Sequence, residues 1–332
     1  MRYWWVNQNQ TYRYEVPGGF LWSPKRKSNG DVNPYYESMR EVAPGDIILS
    51  FIDTRVAALG VAFSHCREFP KPTEFGSAGK NWDPLGWRVD VKFSYLQNRI
   101  RPADYINQLR PLLPEKYSPL LADGRGSQSI YLVEISQALF EAVRGLIGDE
   151  VRQGLNVSVA VIENSTDTAA SVRQIDAWDN QIIREVDEDP TLNETSREAV
   201  IQARRGQGLF RQRVAAIESC CRVTGVRNPE LLRASHSKPW RDSSNDERLD
   251  GENGLLLTPS IDHLFDRGFI GFDSGGELLV SPVADKDSLE RMGVPANRTL
   301  KVGTFSPGQR RYLEWHLEQV FLQSRLSQRK GS

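Results

Sequence analysis

The residues that decide how this chain is interpreted are Ser235-His236, Asn253 and the run Ser260-Ile-Asp-His-Leu-Phe-Asp-Arg-Gly268, which lie close together in the sequence. The run is helix-like, so Asp262 and Asp266, four positions apart, share one helix face. A neutral imidazole can take a proton from water near pH 7, and two such carboxylates can hold one divalent cation. These residue types predict a one-metal site that hydrolyses phosphodiester bonds.

The composition is typical of a folded protein with room for two domains: 332 residues, 39% hydrophobic and 26% charged. No apolar run approaches the roughly 18 residues needed to cross a bilayer, and the first residues lack the apolar stretch of a secretion signal. The three cysteines include the adjacent pair Cys220 and Cys221 and form no CxxC motif. We therefore expect a cytoplasmic protein without a disulfide framework or structural zinc.

Charge is distributed unevenly along the chain. The net charge of −1, taken alone, argues against a nucleic-acid partner. Residues 201–240, however, contain seven arginines and one lysine against two glutamates, a formal charge of +6. This segment adjoins and overlaps the proposed site, which favours a phosphate-facing patch, with a solvated helix face as the alternative. The predicted contacts to the DNA backbone in this half are Arg211, Arg213, Arg233 and Lys238.

A stretch rich in acidic and small polar residues, 186–196, indicates a seam between two domains. We predict an N-terminal domain over residues 1–185, a linker over 186–205 and a C-terminal domain over 206–332. The overall class is α+β. The sequence shows neither an internal repeat nor a long low-complexity tract, so a solenoid is not indicated.

Short runs of β-type residues dominate the N-terminal half and predict a small β-barrel with helices. The predicted strands are Arg2–Asn7, Ile47–Ile52, Val56–Phe63, Trp87–Phe93 and Ile130–Ile135. Helical spacing predicts two helices, Pro102–Leu113 and Ser136–Leu146, with Ser136 as the N-cap of the second.

The C-terminal half predicts the order strand, loop, strand, helix. His236 lies in an extended segment, Gly254–Thr258 is a buried strand, and Ser260 caps a helix that Gly268 ends. A hairpin turns at Ser274–Gly276, between Phe269–Asp273 and Glu277–Ser281. Amphipathic helices are predicted at Gly208–Ser219 and Pro307–Leu322.

From Gly206 to about Phe321 the sequence resembles the HNH endonuclease family, whose ββα-metal fold has this order of elements. Six motifs carry the resemblance: Gly206-Gln-Gly-Leu-Phe-Arg-Gln-Arg213, Cys221-Arg-Val-Thr-Gly225, Ala234-Ser-His-Ser-Lys-Pro-Trp240, Asn253-Gly-Leu-Leu-Leu257, Leu264-Phe-Asp-Arg-Gly268 and Tyr312-Leu-Glu-Trp-His316.

The resemblance implies that His236 is the general base and that Asn253 orients it and its loop or, as in some members, touches the metal. Alignment on Leu-Phe-Asp-Arg-Gly puts Asp262 in the metal-ligand position, with Asp266 one turn later. His263 lies about 100° further round the helix and becomes a ligand only if the alignment slips by one residue. Ser235, a weak ligand, stands where many members have Asp or His. Oxygen ligands favour a single Mg²⁺ or Mn²⁺ over zinc.

The N-terminal half resembles the EVE domain of the PUA-like superfamily over roughly residues 1–165. Tyr3–Gln8, Gly18–Lys25 and Val42–Phe51 followed by Val56–Phe63 carry this resemblance, which implies a pocket that seats a modified base. Such a pocket needs aromatic walls, a polar rim and cations for the flanking phosphates. The pocket candidates are Trp22, Ser23, Asn33, Tyr36, Asp53 and Trp82, and the phosphate candidates are Lys25, Arg26 and Lys27.

Together the two halves predict a modification-dependent restriction endonuclease. It would flip 5-methylcytosine or 5-hydroxymethylcytosine out of double-stranded DNA and cut nearby. One site cuts one strand, so a homodimer or pairing on DNA is expected. Two alternatives stay open: an HNH nuclease or nickase that does not depend on base modification, and a non-cleaving reader of modified nucleic acid.

Overall fold

The computed structural model describes residues 1–27, 30–127, 129–155, 182–184, 186–187, 192–203 and 208–322. The chain divides into two compact units, Met1–Ser171 and Val172–Ser332. Parts of the predicted linker (188–191 and 204–205), the first two residues of the nuclease resemblance (206–207) and the last part of the EVE resemblance (156–165) lie outside the described residues.

A seven-stranded sheet forms the centre of the N-terminal unit, in the order β2-β6-β4-β3-β1-β7, with β5 beside β6. β1 runs parallel to β3, and the other pairs are antiparallel. β6 pairs with β2 through residues 86–90 and with β4 through residues 91–95, and the sheet curls into a half-barrel. The strands are β1 Tyr3–Asn7, β2 Phe20–Pro24, β3 Ile47–Ile52, β4 Arg55–Ala62, β5 Arg67–Pro70, β6 Leu85–Tyr95 and β7 Leu132–Ile135.

All five predicted N-terminal strands are present, so the prediction of a β-rich unit with helices is confirmed. β2 and β5 escape prediction because each is short and ends in a proline, which usually argues against a strand. The α-helices that the described residues of this unit form are α1 Tyr12–Gly18, α2 Pro34–Glu37, α3 Ile106–Leu109 and α4 Gln137–Ile147.

The two predicted N-terminal helices have different outcomes. α4 is confirmed, and the hydroxyl of Ser136 accepts a hydrogen bond from the Leu139 amide at 3.1 Å as its N-cap. The helix predicted over Pro102–Leu113 is instead α3 between two 3₁₀ turns. Pro111 lies in the second turn, where its ring and missing N–H prevent a continuous α-helix.

The C-terminal unit contains the predicted order strand, loop, strand, helix. β8 and β9 form an antiparallel hairpin, and α8 follows directly. The second predicted hairpin is also confirmed, as β10 and β11. The elements are α5 Glu194–Ala203, α6 Gly208–Ile217, β8 Arg233–His236, α7 Asn245–Leu249, β9 Gly254–Leu257, α8 Pro259–Asp266, β10 Ile270–Phe272, β11 Leu278–Val280, α9 Lys286–Arg291 and α10 Pro307–Gln319.

Helix α5 occupies residues that the sequence assigned to a linker. Val200 and Ala203 are buried in the core of the C-terminal unit, beside Phe210 and Trp240. The acidic residues and proline of 186–196 suggested a linker, but the apolar positions further along pack as a helix. Helix α5 therefore packs as part of the C-terminal core.

Of the two predictions about the ends of α8, the N-cap residue is wrong and the terminating glycine is confirmed. The N-cap is Thr258 rather than Ser260, because Pro259 occupies the first helical position, where its fixed φ fits and its missing N–H costs nothing. Gly268 ends the helix as predicted, with a φ of +73°. A Cβ at this position would lie 2.2 Å from the Val320 carbonyl oxygen.

In the part of the chain that the structure describes, no helix combines the length and apolar composition needed to cross a membrane. Cys66, Cys220 and Cys221 are free.

We expect Gly268→Ala to lower the free energy of unfolding of the C-terminal unit by more than about 1 kcal/mol, because alanine is strained at positive φ and its methyl group collides with backbone. Gly145→Ala is the matched control in the N-terminal unit. It lies inside α4, and beyond its chain neighbours and its own helix backbone no described atom lies within 4 Å of an added Cβ, so alanine should stabilise by about 0.5–1 kcal/mol. Calorimetric melting of both variants measures the two effects.

Candidate active site

The β8–β9 hairpin aligns His236 with Gly254, the residue after Asn253. The loop between the strands, residues 237–252, contains α7 and folds back over the hairpin. The amide of Ser237 donates to the Asn253 carbonyl at 2.9 Å and closes the loop at its base. Local pairing therefore brings the first two motif residues together although 16 positions separate them.

The imidazole of His236 is held in a defined orientation and is 9% exposed. Its ring lies parallel to the Phe210 ring, with centroids 3.7 Å apart and 3° between the planes. Nε2 lies 3.0 Å from the carbonyl oxygen of Arg248. A carbonyl can only accept, so Nε2 carries the proton and Nδ1 is the basic nitrogen.

Burial lowers the pKa of His236 to about 4. The lost solvation of the charged ring outweighs the opposing hydrogen bond to the Arg248 carbonyl. The imidazole is therefore neutral at pH 7, the form that a general base needs.

Asn253 is buried and binds the loop. Its Nδ2 donates to the carbonyls of Lys238 at 3.2 Å and Glu247 at 3.0 Å, and its Oδ1 accepts from the Lys238 amide at 2.8 Å. Because Glu247 precedes Arg248, these bonds fix the backbone that carries the acceptor of His236. Among the described contacts, Asn253 acts on the loop rather than on the imidazole itself.

The two carboxylates of α8 face β8. Asp262 lies 3.4 Å from the Arg233 guanidinium, and the Ser235 hydroxyl lies 3.4 Å from Asp266. Surrounding protein atoms, and then the neighbouring charge of Asp262, raise the pKa of Asp266 to about 7, although part of its side chain is exposed. A cation bound beside these residues would favour the ionised form of Asp266.

The oxygen atoms at this place fit a hard divalent cation. In the described ranges, no group of three or more His, Cys, Asp or Glu residues is placed to hold a metal. Mg²⁺ needs fewer protein ligands, since it commonly binds one or two carboxylates together with water and substrate phosphate. Asp262 and Asp266, with Ser235 beside them, supply such a set. His263 is exposed, and no described bond joins it to these residues.

The side chains predicted to contact phosphate in the C-terminal unit differ in their exposure and in their hydrogen-bond partners. Arg233 is 64% exposed and lies beside the carboxylates. Arg213 is exposed and donates to the Leu249 carbonyl. Arg211 donates at 2.7 Å to the carbonyls of Leu232 and Pro229, before β8, and Lys238 pairs with Glu247 at 2.6 Å. Of these four cations, only Arg233 has a described contact with a carboxylate of α8.

The aromatic pocket candidates Trp22 and Trp82 lie together in the N-terminal unit. Their rings stack with centroids 6.2 Å apart and 25° between the planes, and Phe75 packs edge-on against both. Trp22 lies within β2 and is buried. Trp82 is half-buried in a loop.

The polar pocket candidates are not brought to one place by any described contact. Asn33 is the N-cap of α2 and accepts from the Tyr35 amide. Asp53 is exposed in the β3–β4 turn with a φ of +48°, and the Tyr36 ring packs edge-on against Tyr131. Ser23 is buried, and among the described residues its hydroxyl has no hydrogen-bond partner. Asn33 and Asp53 therefore have structural explanations that their sequence positions did not reveal.

Lys25 was predicted to contact a DNA phosphate, and the structure contradicts this. Its ammonium forms a buried ion pair with Glu68 and lies over the Trp87 ring at 4.5 Å. Extracting such a cation would leave the Glu68 carboxylate buried without its partner. Of its neighbours, Arg26 is half-buried and donates to the Gly30 carbonyl, and Lys27 is exposed.

Sequence reasoning missed three contributors to these sites. Arg248 and Phe210 contact His236, and Phe75 packs against Trp22. Phe210 belongs to one of the motifs that carry the nuclease resemblance, but nothing in the sequence indicates that its ring covers the imidazole. Arg248 acts through its backbone carbonyl, which has no sequence signal.

Residues 221–273 match the family HNH_2, described as HNH endonuclease. This match places an HNH endonuclease domain in the C-terminal unit and includes all of the proposed catalytic and metal-binding residues. No curated protein matches the chain.

Solved structures resemble 44% of the chain, over its N-terminal part. Human THYN1, solved with DNA containing 5-methylcytosine, is 15% identical with a TM-score of 0.30, and 98% of that chain is covered. The Pho92 YTH domain, solved with m6A, is 13% identical with a TM-score of 0.31 and 85% covered. Rpa0253 from Rhodopseudomonas palustris is 11% identical with a TM-score of 0.28 and 92% covered.

Replacing Asp266 by Asn is expected to stabilise the C-terminal unit at pH 8 without divalent ions. The folded-state pKa of Asp266, about 7, is above the ordinary value of 3.8. The folded state therefore binds more protons between these values, and the contribution of this carboxyl to stability falls as the pH rises through that window. The melting temperature of Asp266→Asn minus that of wild type should be larger at pH 8 than at pH 5. His236 contributes with the opposite sign, but equally in both proteins.

Mg²⁺ or Mn²⁺ should raise the melting temperature of wild type and have little effect on Asp266→Asn, because bound ions stabilise only the protein that binds them. Glu314→Gln, which removes an exposed carboxylate on α10, serves as the control and should respond like wild type. Equal stabilisation of wild type and Asp266→Asn by the ions would show that Asp266 is not a ligand.

Proposed function

We propose that this protein is a cytoplasmic, modification-dependent DNA endonuclease that recognises 5-methylcytosine or 5-hydroxymethylcytosine with its N-terminal unit and hydrolyses DNA with its C-terminal unit. The observation that carries the nuclease part is the state of His236: one neutral tautomer, with Nε2–H bound to the Arg248 carbonyl and Nδ1 basic. The HNH endonuclease match over 221–273 supports it independently.

In the proposed reaction Nδ1 of His236 accepts a proton from a water molecule whose oxygen forms a bond to phosphorus, while the bond from phosphorus to the departing 3′ oxygen breaks. Asp262 and Asp266, with Ser235, would hold the divalent cation, which neutralises charge on the phosphate and the leaving oxygen when it is bound. Arg233 lies beside Asp262, where its exposed guanidinium can bind a neighbouring phosphate.

The aromatic cluster Trp22, Phe75 and Trp82 supports the recognition of a flipped base. A base stacked on Trp82 would replace its contact with Trp22, since rings 6.2 Å apart leave too little room for a third between them. The buried hydroxyl of Ser23, on the same strand as Trp22, has no hydrogen-bond partner in the part of the chain that the structure describes. We assign Trp82 the role of the movable wall.

One active site cuts one strand, so a double-strand break needs two copies of the C-terminal unit. We therefore propose that two molecules pair, either as a homodimer or on DNA.

Matched DNAs that contain cytosine, 5-methylcytosine, 5-hydroxymethylcytosine or its glucosylated form test the substrate. We expect cleavage of the methylated and hydroxymethylated DNAs well above that of unmodified DNA. Equal cleavage of all four would instead identify a nuclease that does not depend on modification. Binding of modified DNA without cleavage in either Mg²⁺ or Mn²⁺ would identify a reader.

Trp82→Ala should reduce cleavage of modified DNA roughly 5- to 150-fold, the range that corresponds to about 1–3 kcal/mol for one base–aromatic stack. Tyr95→Ala removes another exposed aromatic of the N-terminal unit, at the end of β6, and should change the rate little. A similar loss in both variants would argue against a base pocket at Trp82.

His236→Ala should reduce the cleavage rate by about 10²–10⁴-fold, the usual contribution of a general base. His263→Ala is the matched control, since the side chain is exposed on α8 one residue from Asp262. Little change is expected there. A large loss in His263→Ala would mean that the helix register of the metal ligands is shifted by one residue.

The pH dependence of cleavage distinguishes a buried base from a solvated one. Because burial lowers the pKa of His236 to about 4, its basic form persists as the pH falls through 6.5. With saturating divalent ion, which counteracts protonation of Asp266, activity should therefore decline only well below pH 6. A half-maximal rate near pH 6.5 under these conditions would contradict a buried, neutral His236.

A further inference from the structure

Two residues without an assigned role contact His236 from different directions. Phe210 covers one face of the imidazole, and the backbone carbonyl of Arg248 binds its Nε2. Phe210 belongs to α6, upstream of the segment 221–273 that matches the HNH family. Arg248 belongs to α7, within the loop between the two strands.

The space for Phe210 depends on a glycine in the hairpin. Gly254 is paired with His236 across the strands. A Cβ there would lie 2.2 Å from a methyl carbon of Val214 and 2.9 Å from Cζ of Phe210. Any larger residue would push α6 away from the hairpin. Gly254 thus allows the Phe210 ring to lie flat on the imidazole, where it prevents rotation of the ring out of its plane.

The side chain of Arg248 fixes the position of the Arg248 backbone carbonyl. Its Nε donates to the Trp240 carbonyl at 2.9 Å, and its Nη1 donates to Oδ1 of Asn245 at 2.8 Å. The guanidinium also covers the Trp240 ring at 4.0 Å. Trp240 is itself tied to α5, because its Nε1 donates to the Val200 carbonyl at 2.9 Å. The acceptor of His236 is therefore anchored to the core of the unit.

We propose that Arg248 and Phe210 are positioning residues that hold the His236 imidazole in one rotamer and one tautomer, so that Nδ1 faces the reacting water. This inference rests on the proposed function. The Arg248 guanidinium acts at a distance from the substrate, through the backbone carbonyl. Asn253 holds the preceding carbonyl of Glu247, so the two side chains fix adjacent peptide groups of the same loop.

Arg248→Met tests the role of the guanidinium, since methionine keeps much of the length and apolar packing but removes the donors. We expect kcat to fall about 10²-fold, the cost of a misplacement of about 1 Å, with KM changed less than about twofold. Arg248→Lys, which keeps one charged donor, should recover part of the loss. Phe210→Leu, which keeps an apolar side chain but not the flat ring, should also lower kcat rather than raise KM.

Arg222→Met is the matched control. Arg222 makes comparable contacts in the same unit: it pairs with Glu218, donates to the Thr304 carbonyl and covers the Phe305 ring at 4.3 Å. It should cost similar stability and leave kcat near that of wild type when both are assayed below their melting temperatures. Equal loss of kcat in Arg248→Met and Arg222→Met would overturn the proposal.

A second readout does not depend on activity. The chain has four histidines, so ¹⁵N-histidine labelling, with His236→Gln for assignment, reports the two ring nitrogens of His236 at pH 7.5. Wild type and Arg222→Met should show the limiting shifts of a single Nε2–H tautomer, and Arg248→Met should show averaged shifts. Limiting shifts in Arg248→Met would overturn the proposal. If wild type cleaves no DNA, the proposed function fails, whereas the tautomer measurement still decides whether Arg248 holds the ring.

Discussion

The hydrogen bond from Nε2 of His236 to the Arg248 carbonyl is the interaction on which the proposed active site depends. It selects the tautomer, and burial keeps the ring neutral. The bond exists only because the loop between β8 and β9 folds back over the hairpin. Asn253 holds that loop by three of its backbone groups. These hydrogen bonds hold the polar loop in a fixed position beside His236.

The carboxylates of α8 form the second electrostatic feature of the proposed site. Burial, and then the negative charge of Asp262, raise the pKa of Asp266 to about 7. Asp262 lies 3.4 Å from the Arg233 guanidinium, and the Ser235 hydroxyl lies 3.4 Å from Asp266. Ionisation of Asp266 therefore costs stability in the folded protein, and a bound cation would offset that cost.

In the N-terminal unit, burial gives structural contacts to residues that the sequence suggested as functional. Glu15 is buried, which raises the pKa of its carboxyl, and it accepts hydrogen bonds from Gln8, Thr11, Tyr131 and the Trp22 amide. These bonds join β1, α1 and β2 to the residue just before β7. Trp22 is therefore a core residue of β2 as well as one side of the aromatic cluster. Lys25 forms a buried ion pair with Glu68.

Sequence patterns were sufficient to predict the α+β class, the five N-terminal strands with clear β-type runs, and the order of elements around His236, Asn253 and Asp262. These features follow from local periodicity, turn residues and motif spacing, which act over a few positions. Only the folded chain shows that α5 belongs to the C-terminal core, that Lys25 is buried, and that Phe210 and Arg248 contact His236. These contacts form between residues that are distant in the sequence, and one of them uses a backbone carbonyl, which every residue type has. No local sequence pattern therefore predicts them.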